Sequence, residues 1–272
     1  MAGGRVLIVG GGIAGLSLSL ALRESRWQAE LIEREPGQDS GGAGLAVQPN
    51  AIRALHQLGA GADVERAGSV VGRFGYRDRR GAWLCDVSLG GLWAGVGPFV
   101  GISRAALHDA LRSRPDRCRY GVTVTALQPQ DDRVLVTFDD ATTAEYDLVV
   151  GADGLNSAVR RLAVGGPAPA YASQLAWRSL APAGATPLRG VQFWLGEDRF
   201  FGLCPAGPGL VYGFGNIAGP RRHEPVAGRA RRLRDHFAAF GAPIQEYLAA
   251  IPGDDAIHCS PVVSLPGNAW ST

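Results

Sequence analysis

The chain of 272 residues contains no lysine, since all 27 of its basic residues are arginine. This absence excludes a Schiff-base lysine and a P-loop lysine.

The net charge of +2 is too small to indicate a nucleic-acid partner. The dense basic run at residues 229–234 lies on an amphipathic pattern with Leu233, Phe237 and Phe240. We interpret this run as a solvated helix face and not as a binding patch.

Cysteine is also scarce. Cys85, Cys118, Cys204 and Cys259 are far apart and form no C-x-x-C pair. This spacing disfavours both a disulfide framework and a thiolate metal site. We therefore interpret the four cysteines as buried thiols of a cytoplasmic protein, and we expect no bound metal.

Residues 5–22 join an apolar strand, a glycine turn and a helix start. Gly10, Gly12 and Gly15 form the pattern G-x-G-x-x-G directly after the apolar run at residues 6–9. The first glycine of this motif makes a tight turn, the second lets the backbone approach a pyrophosphate, and the third lets the helix pack on the strand. The helix N-terminus then faces the phosphates.

Glu33 ends the next apolar run, residues 29–33, where a ribose-binding carboxylate of a βαβ unit is found. Because a carboxylate repels a 2′-phosphate, the unit predicts FAD or NAD and not NADP. A glycine turn without ligand is the alternative for the motif taken alone. Residues 6–22 carry no charge, but they are short for a membrane span, and their glycine spacing favours the dinucleotide fold.

Arg104 lies in the first turn of a predicted helix over residues 102–111, with Ser103 as N-cap. A cation at this end is opposed by the helix dipole, which favours a bound anion. A surface ion pair with a nearby carboxylate is the alternative.

A second strand-to-loop motif follows at residues 148–154. The apolar strand 148–150 runs into Gly-Ala-Asp153-Gly154, and a helix with Asn156 or Ser157 at its cap comes next. Since loops at the carboxyl ends of parallel strands form the ligand crevice, we expect Asp153 beside the same cofactor as Gly12.

The pattern changes near residue 165. Residues 174–180, 191–195, 200–204 and 210–215 read as strands joined by Gly/Pro turns, which indicates an antiparallel sheet. Its aromatic residues either line a cavity or fill a core. They are Trp177, Phe193, Trp194, Phe200, Phe201, Tyr212 and Phe214.

With these motifs the chain resembles the single-component flavoprotein aromatic hydroxylases, the family that includes para-hydroxybenzoate hydroxylase, over nearly its whole length. The most specific match is Gly-Ala-Asp-Gly-x-x-Ser-x-x-Arg at residues 151–160, which resembles the family motif for FAD and NAD(P)H. Trp177-Arg178 and the strand region containing Pro205 resemble its substrate sheet. The resemblance implies cofactor contacts at Gly10, Gly12, Ile13, Ala14, Gly15, Glu33, Arg34, Gly44, Arg104, Val124, Asp153, Gly154, Ser157 and Arg160.

The expected architecture is an α/β fold with a Rossmann-like FAD-binding domain built on a parallel sheet, plus an antiparallel-sheet substrate domain. We predict the FAD-binding domain at residues 1–164, with a short β excursion from its sheet near residues 70–100, and the substrate domain at 165–272. The family closes its FAD domain with a Gly-Asp motif whose aspartate holds the ribityl chain. Gly253-Asp254 does not match, because no apolar strand leads into it. Residues 266–272 resemble the approach to that motif, so we expect the returning part to be missing.

The resemblance implies an FAD-dependent monooxygenase that uses NADH or NADPH as a transient reductant and O2 to hydroxylate an aromatic or polycyclic small molecule. No catalytic side chain is assigned, because the five histidines are scattered. A homodimer or a complementing chain is a further expectation. The alternatives are a truncated, non-catalytic or partner-dependent flavoprotein fragment and a related FAD-dependent epoxidase. A flavin-dependent halogenase is disfavoured, since no W-x-W-x-I-P motif occurs.

Overall fold

A computed structural model of the chain describes residues 3–36, 43–113, 118–165, 168–184, 188–267 and 270–271. The strands are β1 (Arg5–Val9), β2 (Gln28–Glu33), β3 (Gly44–Val47), β4 (Ser69–Val70), β5 (Arg73–Asp78), β6 (Trp83–Ser88), β7 (Val100–Ser103), β8 (Cys118–Tyr120), β9 (Val124–Gln130), β10 (Arg133–Phe138), β11 (Thr143–Tyr146), β12 (Leu148–Gly151), β13 (Ala170–Pro182), β14 (Val191–Leu195), β15 (Arg199–Pro205), β16 (Leu210–Ala218) and β17 (Ile257–Ser264). The helices are α1 (Ile13–Leu22), α2 (Pro49–Gln57), α3 (Gly61–Ala67), α4 (Leu89–Leu92), α5 (Arg104–Arg112), α6 (Arg229–His236) and α7 (Ile244–Ala250). A π-helical turn covers Arg160–Val164, and a 3-10 turn covers Asp254–Ala256.

Two compact units interleave along the chain. The first unit contains Met1–Ser40, His108–Ala170 and Ser264–Thr272, and the second contains Gly41–Leu107 and Tyr171–Val263. These units are defined by packing, whereas the predicted division after residue 164 concerns which part binds FAD and which binds substrate. That functional division stays a prediction. Of the residues expected to approach the family's Gly-Asp motif, residues 268, 269 and 272 lie outside the described part of the chain.

The first unit is built on a four-stranded parallel sheet in the order β12-β1-β2-β8. The central strand β1 forms because Val6 through Val9 are almost completely buried, as expected for a strand covered on both faces. Ile8 is in register with Leu31 of β2 and Val150 of β12. The predicted βαβ unit and the second parallel strand are therefore confirmed.

A three-stranded antiparallel meander, β9-β10-β11, completes the first unit. Buried Val136, Phe138 and Tyr146 of the meander share one core cluster with Leu7 and Ile32 of the parallel sheet. The apolar faces of the two sheets thus stabilise each other in the way that layered folds require.

The second unit is built on a seven-stranded sheet in the order β17-β13-β16-β15-β14-β5-β6. The four predicted aromatic-rich strands are β13 to β16, and they pair antiparallel with one another. The predicted excursion covers β5 and β6, which belong to this sheet and not to the parallel sheet of the first unit. β5 instead pairs in parallel with β14, with Phe74 opposite Val191 and Tyr76 opposite Phe193.

The two faces of this sheet differ. Trp177, Trp194 and Phe201 are almost completely buried in a core with Phe237 of the α6 end and Tyr247 of α7. These three predicted aromatic residues are therefore core residues. The other four lie on the opposite face, because side chains alternate along a strand. On that face Tyr212 is part of a second core cluster, and Phe193 and Phe214 pack against it.

The basic run of α6 is only partly solvated. Arg229 donates to the carbonyl oxygens of Ile257 and Glu224, each at 2.7 Å, and Arg232 donates to the Glu224 carboxylate at 2.8 Å. The prediction of a purely solvated face is therefore wrong for Arg229 and Arg232, which hold the loop before α6. Arg231 and Arg234 are exposed as expected.

The predicted buried state of the thiols holds for Cys204 alone. Cys118 and Cys259 are half-buried, Cys85 on β6 is exposed, and none of the four forms a disulfide. In the described ranges, no helix is both long enough and apolar enough to cross a membrane.

Asp254 caps α6. Its carboxylate accepts hydrogen bonds from the backbone N–H groups of Gly228 at 2.6 Å and Ala230 at 2.7 Å. These bonds, and then the positive charges of Arg232 and Arg234, lower the pKa of Asp254. The Gly-Asp pair at this position is thus a helix cap.

We expect Asp254→Asn to lower the free energy of unfolding at neutral pH, because the folded protein stabilises the ionised carboxylate. A carboxylate whose pKa is lower in the folded state contributes above its unfolded pKa of about 3.9 and loses that contribution as the pH falls. Urea unfolding of both proteins over a pH series will show the difference shrinking toward acid. Asp255→Asn, at the exposed next position, is the control. A difference that persists unchanged at acid pH contradicts the cap.

Candidate functional site

The loop between β1 and α1 needs glycine at two positions for packing. Gly10 has φ of +113°, and a Cβ there would lie 2.5 Å from the carbonyl oxygen of Ala152 and 2.8 Å from the Cα of Asp153. A Cβ on Gly15 would overlap the carbonyl oxygen of Gly10. Gly10 therefore lets the two strand-to-loop motifs meet, and Gly15 lets α1 pack on its own entry loop.

Gly12 is glycine for another reason. Apart from its chain neighbours, no atom of the described residues lies within 4 Å of the position that its Cβ would take. Gly12 is also the N-cap residue of α1, and no side chain caps this helix end. The first N–H groups of a helix lack partners within the helix and favour an anion. Open space above unpaired N–H groups is the cradle that a pyrophosphate requires.

Two side chains that are distant in sequence hold the two peptides that meet at Gly11. The Gly11 N–H donates to Oε2 of Glu33 at 2.7 Å, and Nε2 of His108 lies 2.9 Å from the Gly11 carbonyl oxygen. A carbonyl oxygen only accepts, so Nε2 of His108 carries the proton. The Gly11 carbonyl and the Gly12 N–H share one planar peptide, so the His108 contact sets the direction of the Gly12 N–H, and the Glu33 contact fixes the preceding peptide. We call this arrangement the Gly11 clamp.

Sequence reasoning did not single out His108. The clamp joins residues that are 97 positions apart, and no local pattern records such a contact. The available signal was the spacing of four residues between Arg104 and His108, which predicts a shared helix face.

Glu33 keeps capacity for a further partner. Among the described residues, its carboxylate accepts the Gly11 N–H and the Glu35 N–H, the latter at 2.9 Å, whereas a carboxylate has four lone-pair positions. Glu33 is half-buried at the end of β2. The neighbouring Arg34 is exposed and pairs with Glu35 at 3.2 Å. Glu33 can thus accept hydroxyl groups next to the cradle.

The second motif uses its side chains internally. The carboxylate of Asp153 accepts from Ser157 Oγ, from the Ala158 N–H at 2.6 Å and from the Val159 N–H at 3.2 Å. Ser157 Oγ in turn accepts the Arg160 N–H at 2.9 Å. Ser157 is therefore the cap, and Asp153 approaches the glycine loop through its backbone, against Gly10.

Three other predicted residues lie within these two motifs, and a fourth, Val124, lies outside them. Ile13 and Ala14 lie in the first turn of α1, half-buried and exposed respectively. Gly154 has φ of +73°, and no atom of the described part of the chain, its neighbours aside, lies within 4 Å of its Cβ position. The Val124 side chain is buried in the core of the first unit, so a ligand contact there would involve its backbone.

Gly44 and Arg104 lie in the second unit, where β3 and β7 bring them together. Gly44 is in register with Ser103, and the Arg104 N–H donates to the Ala43 carbonyl oxygen at 3.1 Å. Ser103 Oγ accepts the Ala106 N–H at 3.1 Å, which confirms the predicted cap. Across the described ranges, no carboxylate pairs with the Arg104 guanidinium. The ion-pair alternative for Arg104 is therefore not observed.

Six aromatic residues form a continuous surface on the face of the seven-stranded sheet opposite the core helices. Neighbouring ring centroids are 5.0 to 6.3 Å apart, a range in which aromatic pairs attract. All but one of the residues are half-buried. We call this surface the aromatic wall; it comprises Phe74, Tyr76, Phe193, Phe200, Tyr212 and Phe214.

Tyr212 is the buried member of the aromatic wall and adds a polar group to it. Burial raises the pKa of its hydroxyl, and the charge and hydrogen bond of Arg178 oppose that rise. Arg178 also lines a pocket of about 400 Å³ with Arg229 and His258. The pKa of His258 is lowered by partial loss of water and by the charges of Arg178, Arg229 and Arg104. The second unit therefore has a cationic pocket.

We expect His108→Ala to weaken FAD binding about fivefold, because loss of one neutral hydrogen bond costs about 1 kcal/mol. His108→Gln should recover part of the loss, since its amide N–H can donate to the Gly11 carbonyl oxygen. A fluorescence titration of FAD gives both dissociation constants. His223→Ala removes an exposed histidine and is the control. Equal FAD affinity in His108→Ala and the parent chain would show that the clamp does not shape the cradle.

The sequence matches a family model described as FAD binding domain over residues 4–210. Aurachin C monooxygenase/isomerase of Stigmatella aurantiaca is 30% identical over 270 residues, covering 97% of this chain and 70% of the relative. 3-Amino-4-hydroxybenzoate 2-monooxygenase of Streptomyces cremeus is 32% identical, covering 87% and 61%. The FAD-dependent urate hydroxylase of Klebsiella pneumoniae subsp. pneumoniae is 30% identical, covering 91% and 66%. The chain thus spans 61 to 70% of the length of these relatives.

Solved structures give the same result. Klebsiella pneumoniae HpxO, crystallised with FAD and uric acid, superposes with a TM-score of 0.88 at 28% identity, covering 96% of this chain and 68% of HpxO. CtdE, crystallised with FAD, has the same fold at 18% identity, with a TM-score of 0.78 over 97% of this chain and 74% of CtdE. The chain therefore belongs to the FAD binding domain family, and its relatives there include monooxygenases and an FAD-dependent hydroxylase.

Proposed function

We propose that the chain acts as an FAD-dependent monooxygenase, which uses NADH or NADPH and O2 to hydroxylate a planar aromatic small molecule. The observation that carries this proposal is the open space at Gly12 above the uncapped N-terminus of α1. Within the same motif, Gly10 and Gly15 are enclosed by protein atoms, whereas Gly12 borders open space at a helix N-terminus, the end of a helix that favours an anion.

The residues of the chain have separate tasks in FAD binding. The backbone at Gly12 and the N–H groups of α1 face the pyrophosphate, and the Gly11 clamp holds that backbone in place. Glu33 accepts the ribose hydroxyls with its remaining lone pairs. Arg104 of the second unit stays a phosphate contact predicted from the sequence, and its guanidinium has no carboxylate partner among the described residues. Bound FAD supplies electron transfer from NADH or NADPH to O2 and the oxygen-transfer chemistry itself.

The aromatic wall supports an aromatic substrate. Its half-buried rings offer stacking and edge-to-face contacts to another ring, and they exclude water from the bound molecule. The Tyr212 hydroxyl beside Arg178 is the polar group that fixes orientation. Relatives named for urate and for 3-amino-4-hydroxybenzoate support a planar ring bearing polar groups. The homodimer, the complementing chain and the cytoplasmic location stay predictions.

We expect Gly12→Val to abolish FAD binding, because a branched side chain would occupy the space above the helix N-terminus. Flavin absorbance per folded protein measures the effect, and circular dichroism verifies the fold. Gly72→Val is the matched control, since Gly72 also has no atom within 4 Å of its Cβ position and lies in the second unit. A folded Gly12→Val protein with normal flavin content would remove the basis of the assignment.

The activity is tested by supplying the FAD-loaded chain with NADH or NADPH under ¹⁸O2. Urate and 3-amino-4-hydroxybenzoate serve as probes, and mass spectrometry follows the product. We expect one ¹⁸O atom in a hydroxylated product, and less product from Phe193→Leu in the aromatic wall. FAD binding without any oxidation of NADH or NADPH would contradict the monooxygenase and favour a non-catalytic flavoprotein.

A further inference from the structure

The second unit contains a further cavity of about 550 Å³. It lies on the face of the seven-stranded sheet opposite the aromatic wall. Gly75, Gln192 and Leu203 line it and are in register with one another, so they share one face. They alternate along their strands with residues of the wall, such as Phe74 and Phe193, which therefore lie on the other face. Helix α7 closes it with Tyr247 and Ala250. The volume falls within the range of small-molecule sites, about 300 to 1,000 Å³.

The inner part of this cavity is apolar. Leu203, Val211 and the Tyr247 ring line it, and all three residues are buried. The Tyr247 hydroxyl is engaged elsewhere, since it donates to the Ser179 carbonyl oxygen at 2.8 Å and accepts the Gly213 N–H at 3.0 Å. The ring of Tyr247 therefore offers carbon surface to a ligand, which suits a flat hydrocarbon body.

Arg77 sits at the edge of the cavity in a fixed orientation. Its guanidinium lies over the Trp83 ring at 3.5 Å from the centroid. Nε donates to Oε1 of Gln192 at 3.0 Å, and Nη1 donates to the Gly81 carbonyl oxygen at 2.6 Å. Both acceptors are neutral, and Nη2 has no acceptor among the described residues. Burial lowers the pKa of Arg77, and the charge of Asp86 opposes that shift.

The other charged groups of the cavity do not neutralise Arg77 directly. Arg73 holds the Asp86 carboxylate with two hydrogen bonds, at 3.1 and 2.6 Å. Glu246 also lines the cavity, and its side chain is not free of partners. Arg189, which is exposed, adds a positive charge at the rim of the cavity. Three arginines and two carboxylates leave one positive charge in excess.

We propose that this cavity binds a small molecule with a flat apolar body and a single carboxylate. The carboxylate accepts from Nη2 of Arg77, and the body packs on Leu203, Val211 and the Tyr247 ring. The cavity is thus a second small-molecule site, which uses the reverse side of the sheet that carries the aromatic wall. Binding there involves no covalent step.

The test is a calorimetric titration of the full chain with 1-naphthoate, and with the neutral 1-naphthalenemethanol for comparison. We expect saturable binding of 1-naphthoate and weaker binding of the alcohol. Arg77→Gln should weaken 1-naphthoate binding on the order of tenfold, since a charge-assisted hydrogen bond is lost. Arg231→Gln is the matched control, because the Arg231 side chain is 84% exposed on α6. That variant should bind as the parent chain does.

A second variant covers the case in which Arg77→Gln disturbs the β5-β6 hairpin. Ala250→Trp fills the cavity from the exposed end of α7 without changing Arg77, and it should abolish 1-naphthoate binding. Phe193→Leu in the aromatic wall should leave binding unchanged. The proposal is overturned by no saturable binding to the parent chain, by unchanged binding in Ala250→Trp, or by binding that is lost only in Phe193→Leu. That last outcome would place 1-naphthoate on the aromatic wall, and none of these outcomes bears on FAD binding.

Discussion

The Gly11 clamp is the constraint on which the cofactor half of this molecule depends. A glycine loop is the most permissive backbone a protein has, and an anion cradle needs N–H groups that already point at their target. Glu33 holds the N–H of the Gly10–Gly11 peptide, and His108 holds the carbonyl oxygen of the Gly11–Gly12 peptide. Gly10 and Gly15 of the motif are enclosed by protein atoms, whereas Gly12 between them faces open space. Preorganisation here rests on two side chains from separate parts of the chain.

In the second unit, side chains of the seven-stranded sheet alternate between two faces that have different roles. One face of the seven-stranded sheet supplies core residues to α6 and α7, and the other presents the aromatic wall. Shifting any strand by one residue would exchange the two sets of side chains. The long registers of β13 with β16 and of β15 with β16 therefore secure the wall as well as the core.

The sequence predicted the elements whose signals are local. Strand β1 is a continuous apolar run, the three glycines have fixed spacing, and Ser103 stands just before its helix. The pairing of β5 with β14 was not predicted, because it joins segments more than 100 residues apart through hydrogen bonds that no side-chain pattern records. His108 was missed for the same reason. The sequence predicts a solvated Arg229, because the amphipathic pattern shows which face of the helix is polar. It does not show that the carbonyl oxygens of Glu224 and Ile257 lie beside that face.

The uneven exposure of the thiols has a practical consequence for chemical labelling. Alkylation proceeds through the thiolate, and burial raises the pKa of Cys204 to about 12 and of Cys259 to about 11. Burial also raises the pKa of Cys118. Cys85 is exposed on β6, opposite Tyr76 in the pairing with β5. A maleimide fluorophore or spin label will therefore attach first at the edge of the aromatic wall, and a single-site reporter of that surface is available without mutating the chain.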